Sequence, residues 1–325
     1  MLILPLSLSE LNVTALAGGV GGARLADGLA RLLPAERFSV VVNTGDDFIH
    51  YGLRISPDLD TVCYTLAGMA NPESGWGRAQ ESWQVFEGLA ALSGETWFRL
   101  GDRDLATHLE RTRRLAAGDS LSQVTRDFCL AWGVRPTVLP MSDHPVATIV
   151  ESDRGELGFQ DYFVRFQTEP RVTGFSFAGV EDAEPAPGVC RTLQRSDLIL
   201  ISPSNPWVSI NPILAIAGIR ESIRGRPVIA VSPIIGGKTV KGPAAKMFAE
   251  LGIRPSALAV AEHYAGLVTG FVLDAQDEAM IPAIERLGIS TFSTNILMKD
   301  PQDRPRLAAE ILAFAASLLA GEKIQ

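Results

Sequence analysis

Short apolar runs that end in polar or glycine-rich turns recur along the chain. VTALA (Val13 to Ala17) runs into a glycine loop, FSVVV into NTGDD, SDLILI into SPSNP and PVIAV into SPIIGG, with TVLP a shorter case. Such runs, rich in branched residues and bounded by turn chemistry, predict strands. After the first of them, Leu25, Leu29, Leu32 and Leu33 fall at helical spacing, so strand, loop and helix follow one another. Repetition of this unit predicts an α/β fold: Rossmann-like, with a mostly parallel sheet, flanking helices and ligands gathered where the strands end.

The pattern changes between residues 61 and 133, where SWQVFEGLAALSG, LATHLERTRRLAAG and SLSQVTRDFCLAWG read as helices. This stretch is expected to be a helical insertion or subdomain packed over the sheet. From about 151 to 177 apolar and polar residues alternate between turn residues, which predicts a small antiparallel hairpin region. No repeat or linker divides the chain, so residues 1–325 are expected to form a single α/β domain.

Composition narrows the function. With 46% apolar and 20% charged residues the chain is that of a folded globular protein. A net charge of -8 argues against general binding to nucleic acid or an anionic membrane, which requires clustered Lys and Arg. Any anionic ligand must therefore be held locally. Cys63, Cys129 and Cys190 show no CxxC spacing, so reduced, mostly buried thiols are expected. MLILPLSLSE has no basic segment and reads as a frayed leader, and ILAFAASLLA is too short to span a bilayer. A cytoplasmic protein is expected.

Candidate chemistry sits in the turns. GGVGG (Gly18, Gly19, Gly21 and Gly22) permits close approach of an anion to a helix N-terminus, although Arg24 stands where a dinucleotide fingerprint needs a small residue. Tight strand-to-helix packing is the alternative. GGKT (Gly236, Gly237, Lys238 and Thr239) resembles a phosphate loop but lacks its first glycine, since Ser232 stands there; Lys238 and Lys241 remain possible phosphate contacts. SPSNP presents Ser202, Ser204 and Asn205 on a loop stiffened by proline. NTGDDF and PDLDT supply Asp46, Asp47, Asp58 and Asp60 in two pairs. Carboxylates beside a phosphate cradle suit magnesium, which binds through one or two of them plus substrate phosphate. Helix and turn capping is the competing role for one acid of each pair. GDRD (Gly101 to Asp104) is a further acid and base cluster, and the four histidines show no metal-ligand spacing.

Taken in order, GGVGGARLADGL, VNTGDDF, PDLDT, WFRLGDRDLATH, PMSDHPV, GFQDYFV, SPSNPWVSINPIL and VSPIIGGKTVKGPA resemble the 2-phospho-L-lactate transferase family of coenzyme F420 biosynthesis, in a form like its bacterial phosphoenolpyruvate transferase members. The resemblance implies transfer of a phospho-acid (2-phospho-L-lactate, phosphoenolpyruvate or 3-phosphoglycerate) from its guanosine diphosphate ester to the deazaflavin 7,8-didemethyl-8-hydroxy-5-deazariboflavin, with release of GMP. It implies Mg2+ as cofactor, Asp46 and Asp58 as catalytic and metal-binding carboxylates, and Asp60 as a further metal ligand. Asp47, Gly18, Gly19, Gly21, Gly22, Ser202, Ser204, Asn205, Gly236, Gly237 and Lys238 would bind the substrates. A homodimer is implied, and glutamylation is expected to fall to a separate ligase. PMSDHPV departs from many relatives in carrying His144. The alternative is a non-catalytic nucleotide-sugar-binding regulator of a related family, which shares the glycine-rich entry.

Overall fold

The computed structural model describes residues 10–320; the expected frayed leader lies, apart from Glu10, outside the described residues. Seven strands form one sheet in the order β14-β13-β10-β9-β1-β2-β5, every neighbouring pair parallel. These are β1 (Val13–Ala17), β2 (Phe38–Val42), β5 (Thr137–Pro140), β9 (Leu198–Ile201), β10 (Val228–Val231), β13 (Gly270–Asp274) and β14 (Ser290–Thr294). The expected Rossmann-like architecture is present.

Side chains alternate across the sheet into two cores. Leu16, Val41, Ile199, Ile201 and Ala230 enter one; Ala15, Ala17, Val40, Val42, Leu200 and Val231 enter the other. Helix α1 (Gly19–Ala30) and the last described helix, Asp303–Leu319, cover the second face with Leu25, Leu29, Leu307 and Ile311. Each fully buried aliphatic side chain contributes about 1.5–3 kcal/mol, so the central strands have no exposed face to lose.

The chain runs outward from β1 through β2 to β5, then returns to β9 on the other side of β1 and proceeds to β14. At such a reversal of strand order, at the carboxyl ends of the strands, open α/β sheets place their ligand crevice.

Between β4 (Leu53–Ile55) and β5 lie α2 (Pro57–Leu66), α3 (Gln84–Ala91), α4 (Asp102–Ala116) and α5 (Leu121–Ala131). The expected insertion is helical, but it begins at Pro57, because proline suits the first helical turn and the acids after it favour the positive end of the helix. Strand β4 pairs with β3 (Phe48–His50) as a hairpin. The region expected as a hairpin is a three-stranded antiparallel sheet, β7-β6-β8, formed by β6 (Ala147–Ser152), β7 (Gly155–Gly158) and β8 (Val172–Ala178). Cys63 and Cys129 are buried with their sulfurs 3.6 Å apart, a proximity that 66 residues of separation conceal in the sequence. Among the described residues no helix is long and apolar enough to cross a membrane.

Candidate active site

The glycine loop after β1 is shaped by close packing. A Cβ on Gly18 would lie 2.6 Å from both Asp58 Oδ2 and Ser209 Cβ, and one on Gly22 would lie 2.9 Å from Ala17 Cβ. Gly21 faces the Pro203 carbonyl, where a side chain would collide. Ser204 closes the junction: its hydroxyl donates to the Gly18 carbonyl at 2.7 Å and accepts from the Gly18 N–H at 3.2 Å. The loops after β1 and β9 are thereby joined, and α1 opens at the crevice.

The two acidic pairs meet beside this junction. Asn43, at the end of β2, donates from Nδ2 to Asp58 Oδ2 (2.9 Å) and to the Val208 carbonyl (3.2 Å), while its Oδ1 accepts the Gly45 N–H at 2.8 Å. Ser56, preceding α2, donates to Asp47 Oδ2 at 2.6 Å. The loop Asn43–Asp47 and the start of α2 thus hold each other reciprocally, Asn43 to Asp58 and Ser56 to Asp47.

Both Asp46 and Asp58 are buried. Burial, followed by the neighbouring Asp58 charge, pushes Asp46 well above the usual carboxylate range. Burial raises Asp58 to about 6, against the opposing hydrogen bonds from Asn43 and the Gly19 backbone. Asp47 is also raised by burial, opposed by the Ser56 hydroxyl and the Arg111 charge. Asp46 Oδ1, Asp47 Oδ1, Thr44 Oγ1, Thr148 Oγ1 and Ser202 Oγ are buried without a hydrogen-bond partner. Such a concentration of unpartnered oxygens marks a place built to meet something else.

Two hollows are lined by segments that adjoin the acids, one by the glycine loop after β1 and one by the chain after Asp47. One, of about 110 Å³, is bounded by Val20, Gly21, Arg24, Asn205, Lys241 and Ile296. Arg24 donates to the Met298 carbonyl at 2.8 Å and Lys241 to the Ser74 carbonyl at 2.6 Å. Burial lowers both cations below their usual range, and for Lys241 the Arg24 charge adds to it. An anion in this hollow would meet two cations and a helix N-terminus. The second hollow, of about 190 Å³, lies under α3 and is bounded by His50, Tyr51, Phe86, Leu89, Phe98 and Leu105. Phe48 and Trp97 continue it, with ring centroids 4.8 Å (Phe48 to Phe98) and 5.2 Å (His50 to Trp97) apart.

Several expected residues fall elsewhere. Asp60 points to Arg111, which binds both of its carboxylate oxygens; a buried carboxylate whose charge is so matched is not a free metal ligand. Gly236 and Gly237 are not a phosphate loop. Their φ values of 55° and 77° make the two-residue turn of a hairpin, β11 (Ile234–Ile235) with β12 (Lys238–Thr239), and the Gly236 N–H is taken by Asp277 Oδ2 at 3.0 Å. Lys238 stands exposed on that hairpin, and Lys241, further along, is the lysine at the hollow. GDRD separates: Asp102 accepts the backbone N–H groups that open α3, and Asp104 accepts the Tyr64 hydroxyl at 2.7 Å. His144 is tied down by a distant segment, its Nδ1 accepting the Glu184 N–H at 3.0 Å.

Asn43, Ser56, Arg111 and Thr148 carry much of the arrangement but were not singled out in the sequence, and Arg24 was named there only as a break in the dinucleotide fingerprint. For Arg111 a signal exists: Asp104, Thr107, His108 and Arg111 are the buried residues of α4, at helical spacing where apolar residues are usual.

The model of the family described as 2-phospho-L-lactate transferase CofD matches residues 13–291. The chain belongs to that family. A phosphoenolpyruvate transferase of Kitasatospora aureofaciens is 43% identical over 320 residues, covering 96% of this chain and 100% of the relative. The Thermobifida fusca protein of the same name is 41% identical over 322 residues, covering 95% and 99%. A 2-phospho-L-lactate transferase of Methanosarcina acetivorans is 40% identical over 299 residues, covering 92% and 97%. Among solved structures, a Bacillus halodurans protein of the UPF0052 family superposes with a TM-score of 0.62 at 15% identity, covering 93% of this chain and 99% of that one; at that identity the likeness is one of fold. The family implied by the sequence motifs is the one found, and the matched span contains both acidic pairs, the second hollow and all of the first but its Ile296–Met298 wall. In this CofD-family transferase, therefore, the clasped acids belong to the matched span and not to an appendage.

Proposed function

We propose that the protein transfers a phospho-acid from its guanosine diphosphate ester to the terminal hydroxyl of a deazaflavin, releasing GMP, as a step of coenzyme F420 biosynthesis. The single observation that carries this is the clasp: Asp46 and Asp58 are buried together, Asp58 against the glycine loop that also lines a cationic hollow. The first hollow suits the diphosphate, with Arg24 and Lys241 countering its charge and the start of α1 presenting N–H groups. The second begins at His50, three residues beyond Asp47, and its rings suit a planar tricycle.

The acid pair fits magnesium. Two mutually repelling buried carboxylates gain from a cation. The two carboxylates would hold it, with substrate phosphate and water completing the shell. Bound there, magnesium would spread the charge of the phosphoryl group in flight.

The residues perform the rest. Asn43 and the Gly19 N–H fix Asp58, and the Asn43–Gly45 contact fixes the loop bearing Asp46. Asp46 Oδ1 accepts the proton as the acceptor hydroxyl oxygen bonds to phosphorus, and the bond from phosphorus to the GMP oxygen breaks. GMP departs with its charge countered by Arg24 and Lys241. The test is incubation with the deazaflavin, magnesium and each of the three guanosine diphosphate esters, following GMP and the deazaflavin product by mass spectrometry. Product from one ester supports the proposal and names the acid. No product from any, with tight binding of a nucleotide-sugar, supports the regulator alternative.

A further inference from the structure

The helical insertion reaches the acid clasp through one side chain. Arg111 is buried, 2% exposed, and lies on α4, remote in sequence from both acidic pairs. Its guanidinium takes both oxygens of Asp60, two residues beyond Asp58 on α2, and donates to the Arg54 carbonyl at 3.3 Å. The next residue, Thr112, accepts the Arg54 N–H at 2.8 Å, so α4 holds β4 by both polar groups of one residue. A second rung joins the same helices: the Tyr64 hydroxyl of α2 donates to Asp104 of α4 at 2.7 Å, and His108 Nδ1 stands 3.2 Å from Arg111.

Everything that orients Asp58 from its own side of the crevice is a neutral hydrogen bond. Arg111 supplies the charged fastening, at the first turn of the same helix, and its charge also faces Asp47 across the Ser56 contact. A buried bidentate guanidinium has a fixed fork geometry that a lysine ammonium does not reproduce. We propose that Arg111 is a positioning residue for the transfer, setting the first turn of α2 and with it the placement of Asp58 toward the reacting phosphate. The inference rests on the transferase reading above for its kinetic consequence, while the positioning itself is observable without turnover.

The test compares wild type, Arg111→Lys, Arg111→Gln with Asp60→Asn (both charges removed together), Asp58→Asn, and Arg111→Lys combined with Asp58→Asn. Positioning predicts that folded Arg111→Lys loses about tenfold to a hundredfold in kcat, with the donor KM changed by less than about twofold. It also predicts that the loss vanishes in the Asp58→Asn background, because the residue through which Arg111 acts is already gone. The double charge-removal variant should regain the thermal midpoint but not kcat. Amide hydrogen exchange should quicken at least about tenfold in peptides covering 43–47 and 54–62, and stay unchanged in β9 and β10. A merely structural ion pair would lower the midpoint while leaving kcat of the folded protein intact. Wild-type kcat in Arg111→Lys or in the double variant, or the same loss with and without Asp58, overturns the proposal. Should wild type itself show no transfer, the transferase reading fails, and the exchange pattern alone then upholds or overturns the positioning.

Discussion

The two glycine turns at the crevice look alike as sequence and are unlike as structure. GGVGG and GGKT each follow an apolar run and each precede or contain a cation. In the first, every glycine but one is small because another element stands against it, and the loop opens a twelve-residue helix at the reversal of the sheet. In the second, both glycines adopt left-handed φ to close a hairpin, and a Gly236 N–H that would have met phosphate is already bonded to Asp277. Where a loop's backbone N–H groups go decides whether it can receive an anion, and glycine content alone does not.

The comparison can be broken most severely at the acids that the first turn supports. Asp46→Asn and Asp58→Asn are each expected to lower kcat by about 10² to 10⁴-fold, measured as GMP release, with circular dichroism unchanged. Gly18→Ala comes next. Its Cβ would displace Asp58 Oδ2 or Ser209, and misplacement of that order is expected to reduce kcat about 10²-fold, with a melting point lowered by overpacking that costs about 1–3 kcal/mol.

The raised Asp58 carboxyl gives a sharper test. Its folded pKa of about 6 exceeds the unfolded value near 4, so the folded state holds the proton more tightly and loses stability as pH rises through that window. Without added magnesium, Asp58→Asn should therefore melt at least as high as wild type at pH 8, and its advantage should vanish by pH 4. An advantage that grew toward acid pH would contradict the burial argument. The smallest effects belong to the second turn. Gly237→Ala should cost about 1 kcal/mol of stability, seen in urea denaturation, because of its φ of 77°. Lys238→Ala should change kcat/KM by less than about twofold.

Much of the fold was legible because strands buried on both faces read as continuous apolar runs, and the turn after each is polar. The glycine entry and the positions of Asp46 and Asp58 at strand and helix ends were legible for the same reason, while their catalytic role remains the proposal above. Asp60 was misjudged because its spacing from Asp58 suggests a shared role, whereas two residues along a helix turn the side chain about 200° away. Arg111 was passed over because a helix rich in charge reads as a solvated face. Only the other helix makes that face an interior.

What the sequence by itself determined is the local physics: which runs become strands, where Pro57 starts a helix, which loops need glycine, and the family to which these motifs belong. Only the tertiary structure decided which polar groups meet. The partners of Asp58, Asp60 and Gly18 lie at Asn43, Arg111 and Ser204, the last 186 residues away, and contacts over such separations follow from the order of strands in the sheet. Strand order is set by packing both cores at once, a cooperative outcome that no short stretch of sequence contains.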